Sequence, residues 1–182
     1  DTLRFELPEG VSQAAVRDAA LEQEINLFYC NCGCGKVVGL STDEKINEKE
    51  INTLIGIFAK AAGKTAGEEM LKALEAAGVT SGSIGVINVN AATDSCVMRE
   101  EGFRSAFEGK GYTILETQYG EGDAAKSQSI AENYITQGVV GIFGCNEGST
   151  TGAGNAIKAA GKDGIIGVGF DKSDAILGLI DD

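Results

Sequence analysis

Six polar side chains stand just past the ends of short apolar runs: Asn31, Asn90, Asp94, Gln118, Asn146 and Asp171. An amide both donates and accepts hydrogen bonds, and an ionised carboxylate accepts several. Together these groups suit the vicinal hydroxyls of a small neutral polyol better than a phosphate or an acid. Taken singly, each is also an ordinary cap or turn residue. What groups them is their shared position, after an apolar run and before a helix-like segment.

Other chemistries fit less well. The chain has 182 residues and no histidine, which removes Ser-His-Asp and Cys-His catalysis and the commonest metal ligand. Gly63-Lys64-Thr65 has the tail of a phosphate-binding loop, but position 58, where that loop needs glycine, is Phe. The segment reads as helix, with Lys64 in solvent. Gly120-Glu121-Gly122-Asp123-Ala124-Ala125 has the spacing of a weak dinucleotide turn. Its two acidic residues would repel a pyrophosphate, and Asp123 reads better as a helix N-cap. Gly148-Ser149-Thr150-Thr151-Gly152 lacks the central nucleophile of a hydrolase elbow. Ser149 is expected to cap the next helix, and Gly152 and Gly154 to allow close helix–sheet packing. Cys30, Cys32 and Cys34 alternate, but no paired-cysteine spacing accompanies them, so no metal and no cofactor is expected. Cys96 and Cys145 read as ordinary thiols.

The elements that would position the polar set repeat regularly. Ser83–Val89, Tyr112–Gln118, Val139–Cys145 and Ile165–Phe170 are strand-length apolar runs. Helix-period segments lie between them at Ser95–Gly109, Asp123–Gln137 and Ser149–Ala160, and Ser173–Ile180 closes the chain. Such alternation predicts a doubly wound parallel α/β sheet in three layers, with ligands held at the carboxyl ends of the strands. Lys60–Ala77 reads as a long helix stopped by Gly78, and Ile51–Ile57 as a strand before it. Nearer the start, Leu3–Leu7 and Ile25–Cys30 read as strands around a helix at Val11–Glu24, a βαβ unit. Residues 31–50 show no clear period, and Asp43–Glu50 reads as a solvated loop or helix face.

Net charge is −12, from 15 basic and 27 acidic residues, so nucleic acid is a poor partner. No apolar run approaches the roughly 20 residues of a membrane span, so direct insertion is not expected.

Four segments resemble one known family, in order and at its spacing. They are Gly82-Ser83-Ile84-Gly85-Val86-Ile87, Arg99-Glu100-Glu101-Gly102-Phe103, Asn146-Glu147-Gly148 with Gly152-Ala153, and Ile166-Gly167-Val168-Gly169-Phe170-Asp171. They look like the C-terminal lobe of type I periplasmic sugar-binding proteins, and Ala61–Gly67 resembles the helix that opens that lobe. The resemblance implies residues 52–182 as a ligand-binding lobe and residues 1–51 as a partial N-terminal-lobe remnant and loop. On this reading the chain is a fragment or half of a longer protein. It implies a non-catalytic solute-binding component of a sugar ABC importer, with a small-molecule sugar and a membrane permease as partners. The location would be periplasmic or otherwise extracytoplasmic, with a cell-surface lipoprotein as one form. Sugar contacts are implied at Asn31, Asp94, Asn146 and Asp171. The alternative on the same fold is the effector-binding domain of a lac-repressor-type regulator. Four positions depart from the pattern: Phe58-Ala59 replaces a hinge Asp-Asn, Val97 a sugar-binding Arg, and Gly122 a ring-stacking aromatic.

Overall fold

In a computed structural model the structure describes residues 2–7, 11–22, 28–29, 37–41, 48–161 and 164–180. Strand β1 (Thr2–Glu6), helix α1 (Gln13–Glu22), β2 (Phe28–Tyr29) and β3 (Val37–Ser41) come first. The expected βαβ unit is changed in one respect. Strand β3 lies between β1 and β2 and runs antiparallel to both. It falls in the stretch that showed no period, because Val37-Val38-Gly39-Leu40 is too short a run to alternate visibly.

Helix α2 (Glu48–Ala76) is 29 residues long. The strand expected at Ile51–Ile57 is therefore helix. Leu54, Ile57 and Ala61 are buried together at helical spacing against Val16 and Ala20 of α1. Further along, Met70, Leu71 and Leu74 of the same helix enter a second core. The helix thus belongs to two cores and runs unbroken through position 51. It ends as expected: Gly78 takes φ +72, and the Val79 N–H reaches back to the Leu74 carbonyl at 2.9 Å.

Then follow β4 (Gly82–Asn88), α3 (Asp94–Ala106), β5 (Tyr112–Ile114), β6 (Gln118–Tyr119), α4 (Ala124–Thr136), β7 (Gly141–Gly144), α5 (Glu147–Ala160), β8 (Ile166–Gly169) and α6 (Asp174–Ile180). The strands form one parallel sheet in the order β5-β4-β7-β8, with β6 also pairing with β4. Alternate residues point to opposite faces. Ile84, Val86, Phe143 and Cys145 meet α2 and α3, whereas Ile87 and Ile142 meet α4 and α5. At the centre of the first face the Phe103 and Phe143 rings stack at 4.0 Å. Three layers with helices on both faces are as the alternation predicted.

The run Tyr112–Gln118 is not one strand. After the Leu115 N–H bonds Ile84 O at 2.9 Å, the chain leaves the ladder and rejoins it at Gln118. Between them the Arg104 guanidinium takes the Leu115 carbonyl at 3.1 Å and Thr117 Oγ1 at 2.9 Å. A half-buried side-chain partner has replaced the ladder there.

Glycines set how closely the helices approach. A Cβ on Gly63 would overlap the Arg99 carbonyl, and one on Gly102 would overlap the Lys60 carbonyl, so α2 and α3 cross backbone to backbone. On the other face Gly148 and Gly152 press α5 onto Gly122 and Ala124. Gly152 therefore serves helix–helix packing, not the helix–sheet packing expected, and Gly154 faces Leu179 of α6. Ala160, at the end of α5, is exposed, and Ile130 and Ile157 are only partly covered.

Candidate functional site

Strands β4, β7 and β8 are neighbours and end on one edge of the sheet. Ile87 is level with Gly144, and Gly144 with Gly169. The residues that follow are therefore brought together: Asn90 and Asp94 after β4, Asn146 after β7 and Asp171 after β8. Asn31 lies outside the described residues.

These side chains are not equivalent. Asn90 Oδ1 accepts the Ala92 and Thr93 N–H groups, both at 2.8 Å, and the Thr93 hydroxyl at 3.0 Å. Its acceptor is used in building the turn into α3. Asp94 is the exposed first residue of α3, a site where the helix dipole favours a negative charge. Asn146 caps α5, its Oδ1 accepting from Ser149 N at 3.2 Å, which leaves its amide nitrogen as a donor. Ser149, expected as the cap, is instead buried with an unpartnered hydroxyl. Asp123 does cap α4, accepting from Lys126 N at 2.7 Å. Asp171 is exposed and has φ +74, a conformation that non-glycine residues seldom adopt.

Gln118 stands apart from this group. It lies level with Ile87 on β6 and lines a groove of about 620 Å³ with Leu115, Ile130 and Tyr134. Asp171 lines a different groove, of about 670 Å³, with Thr150, Ile176 and Leu179.

Below the strand ends a polar network joins α3 to the sheet. Asn88, only 1% exposed, donates to Glu100 Oε2 at 2.7 Å and to Cys96 O at 3.3 Å, while its Oδ1 accepts Val89 N at 2.7 Å. Glu100 Oε1 accepts from Arg104 Nε at 2.8 Å and from the Thr117 hydroxyl. Sequence reasoning chose Asn90 and passed over Asn88, which closes β4 on the α3 face. The strand's alternation was the signal that could have found it, since Ile84, Val86 and Asn88 share one side.

Two further residues escaped the sequence reading. Arg99 Nη1 donates to the Cys145 carbonyl at 2.9 Å, and its guanidinium lies 4.4 Å from the Phe170 ring centroid. Thr150 Oγ1 accepts from Phe170 N at 3.0 Å and lies 2.8 Å from the Asn146 carbonyl. Both roles depend on partners distant in sequence.

Tyr134, in the groove beside Gln118, gives the fold a pH signature. Its hydroxyl donates toward Val86 O at 3.1 Å and Glu116 O at 2.6 Å. Burial pushes the phenol up from 10.0 to about 12, against the opposing pull of backbone hydrogen bonds. The folded value exceeds the unfolded one, so this contribution to stability is complete below pH 10 and is lost as pH climbs from 10 to about 12. Alkaline unfolding curves should show that decline, and Tyr134→Phe should flatten it. An unchanged decline in the variant would refute the assignment.

Cys96 and Cys145 are free, buried thiols, and burial pushes the Cys145 thiol up, away from a reactive thiolate. Cys30, Cys32 and Cys34 lie outside the described residues. Among the described residues no group of three or more Cys, Asp or Glu converges as a metal site requires, and no helix is long and apolar enough to cross a membrane.

Residues 35–182 match the family model described as periplasmic binding protein domain, and the chain belongs to that family. It is 32% identical over 116 residues to the ribose import binding protein RbsB of Haemophilus influenzae, covering 63% of this chain and 38% of that protein. A carbohydrate transporter solute-binding protein from Agrobacterium radiobacter, solved in complex with D-arabinose, is similar in structure with TM-score 0.62 at 26% identity. That match covers 68% of this chain and 44% of the other. A 64-residue stretch is 52% identical to glycine dehydrogenase (decarboxylating) of Bacteroides thetaiotaomicron, covering 35% of this chain and 6% of that enzyme. The chain thus spans less than half the length of the sugar-binding relatives and a small fraction of the dehydrogenase. The resemblance read from Gly82 to Asp171 is confirmed, and relatives that cover about two thirds of the chain or more include a ribose import binding protein and an arabinose binding protein.

Proposed function

We propose that the chain serves as the ligand-binding lobe of a solute-binding component for a sugar ABC importer, taking a neutral monosaccharide without catalysis. The observation that carries this reading is the common edge of β4, β7 and β8, whose register puts the segments bearing Asp94, Asn146 and Asp171 at one end of the sheet. Two exposed carboxylates disfavour an anionic ligand and accept from hydroxyls, and the amide supplies a donor. The commitment of the Asn90 acceptor to its turn, and the place of Gln118 on β6 rather than after β4, β7 or β8, narrow the six expected contacts to these three, with Asn31 as a fourth. Residues 52–182 supply the lobe and residues 1–51 the remnant of a second one, with α2 crossing that division and packing on both sides of it. A membrane permease is the macromolecular partner, and the setting is extracytoplasmic. Binding tightens where an opposing lobe closes over the sugar and excludes water.

Amide-resolved NMR titration of the 182-residue chain with D-ribose, D-arabinose, D-xylose, D-fucose, AMP and glucuronate tests the reading. Saturable shifts centred on Asp94, Asn146 and Asp171 with a neutral sugar are expected. Saturation by AMP or glucuronate alone would sink the sugar reading, and shifts centred on Gln118 would displace the site.

A further inference from the structure

We propose that Thr150, opposed by Arg99, is a positioning residue that holds the Asp171 backbone in its left-handed conformation and pins it to Asn146. The consequence for binding rests on the sugar reading above; the backbone role does not. The facing pair Gly144 and Gly169 makes the contact possible. A Cβ on Gly144 would come within 2.6 Å of the Thr150 nitrogen, and one on Gly169 would overlap the Thr150 hydroxyl. The first turn of α5 therefore rests directly on the ends of β7 and β8.

From that position one hydroxyl joins both strand ends. It accepts from the Phe170 N–H at 3.0 Å, and its single proton has two acceptors within 3.0 Å, the nearer Asn146 carbonyl at 2.8 Å and the Phe170 carbonyl at 3.0 Å, so either choice ties α5 to the end of β8. Phe170 is the residue before Asp171, so the bond falls on the chain immediately ahead of the strained φ of +74. A left-handed aspartate persists only where its surroundings over-determine it. The opposite face of the sheet supplies the second constraint. There the Arg99 guanidinium lies against the Phe170 ring and bonds the Cys145 carbonyl, the one just before Asn146. The two strand ends carrying the amide and the carboxylate are thus gripped from α5 on one face and from α3 on the other.

The test compares Thr150→Val, which keeps the shape and loses the hydroxyl, with Thr150→Ser, which keeps the hydroxyl. Residual dipolar couplings report the Asp171 φ without any ligand, and D-ribose and D-arabinose titrations report affinity. Thr150→Val is expected to move Asp171 out of the left-handed region and to weaken sugar binding at least fivefold, and Thr150→Ser to restore both. Arg99→Met should weaken binding in the same direction. In an Asp171→Ala background, Thr150→Val should cost less than a further twofold, because its effect passes through Asp171. An unmoved Asp171 φ in Thr150→Val overturns the proposal whatever the sugar result. A moved φ with affinity within twofold of the unaltered chain overturns it too, as does an equal loss in the Asp171→Ala background. Failure of both sugars to bind the unaltered chain, with φ moved by Thr150→Val, upholds the backbone role and refutes the sugar reading.

Discussion

Gly102→Ala should be among the most damaging single substitutions in the chain, destabilising it by about 3 kcal/mol or more. The added methyl would overlap the Lys60 carbonyl and come within 2.8 Å of the Lys64 nitrogen. Neither is a side chain that can swing aside, so two helix backbones must separate. They carry Met70, Leu74, Phe103 and Phe107 of the core facing the sheet, and any separation disturbs that packing. For a domain of this size the melting temperature should fall by roughly 6–12 °C. Gly56, on the same helix as Lys60, provides the contrast. Its Cβ would meet only Met98 Cγ, at 3.5 Å, which is an ordinary contact. Gly56→Ala should therefore stabilise by about 0.5–1 kcal/mol through helix propensity alone. Urea denaturation of both variants decides the matter. A Gly102→Ala protein within 1 kcal/mol of the parent would mean that the helices do not cross as described.

Asp171→Ala should weaken monosaccharide binding about ten- to a hundredfold, the 1.5–3 kcal/mol of a charge-assisted hydrogen bond. The loss should not reflect unfolding, because the side chain is exposed and packs no core. Asp171→Gly separates the two effects. Glycine accepts φ +74 without strain, so this variant should be more stable than the parent by up to about 1 kcal/mol while binding no better than Asp171→Ala. Calorimetry against the sugar panel, run beside thermal melts, measures both. Unchanged affinity in either variant would remove Asp171 from the site.

The sheet was legible because each strand is a short apolar run closed by glycine or a polar residue, and each helix repeats at its own period. Ile84–Ile87, Ile142–Phe143 and Ile166–Val168 announce themselves in this way. Ile51–Ile57 misled because seven mostly apolar residues fit a strand or a buried helical turn equally well. Only the packing of Leu54, Ile57 and Ala61 on α1 settles them as helix. Strand β3 stayed hidden because Val37-Val38-Gly39-Leu40 is too short a run to alternate visibly. The polar strand ends were legible from topology alone, since parallel strands present their carboxyl ends on one side. Their division of labour was not. That Asn90 is occupied by its own turn, that Asn146 rather than Ser149 caps α5, and that Thr150 bonds Phe170 all depend on distances of a few tenths of an ångström. Arg99 stood in a family-like segment, but its role against the sheet carries no local signal without Phe170, 71 positions later in the chain.

The long helix α2 has a mechanical meaning. At 29 residues it is a rod of about 43 Å, anchored near one end on α1 and near the other on the sheet. The crossing with α3 lies near the middle of the rod and acts as a fulcrum, so a tilt of about 5° there would swing each end by about 2 Å in opposite directions. Most helix crossings are cushioned by side chains that can change rotamer and yield a little. At Gly63 and Gly102 there is no such cushion, and one backbone bears directly on the other. The bearing has almost no play, and the angle of the whole lever is set by two residues that have no side chain.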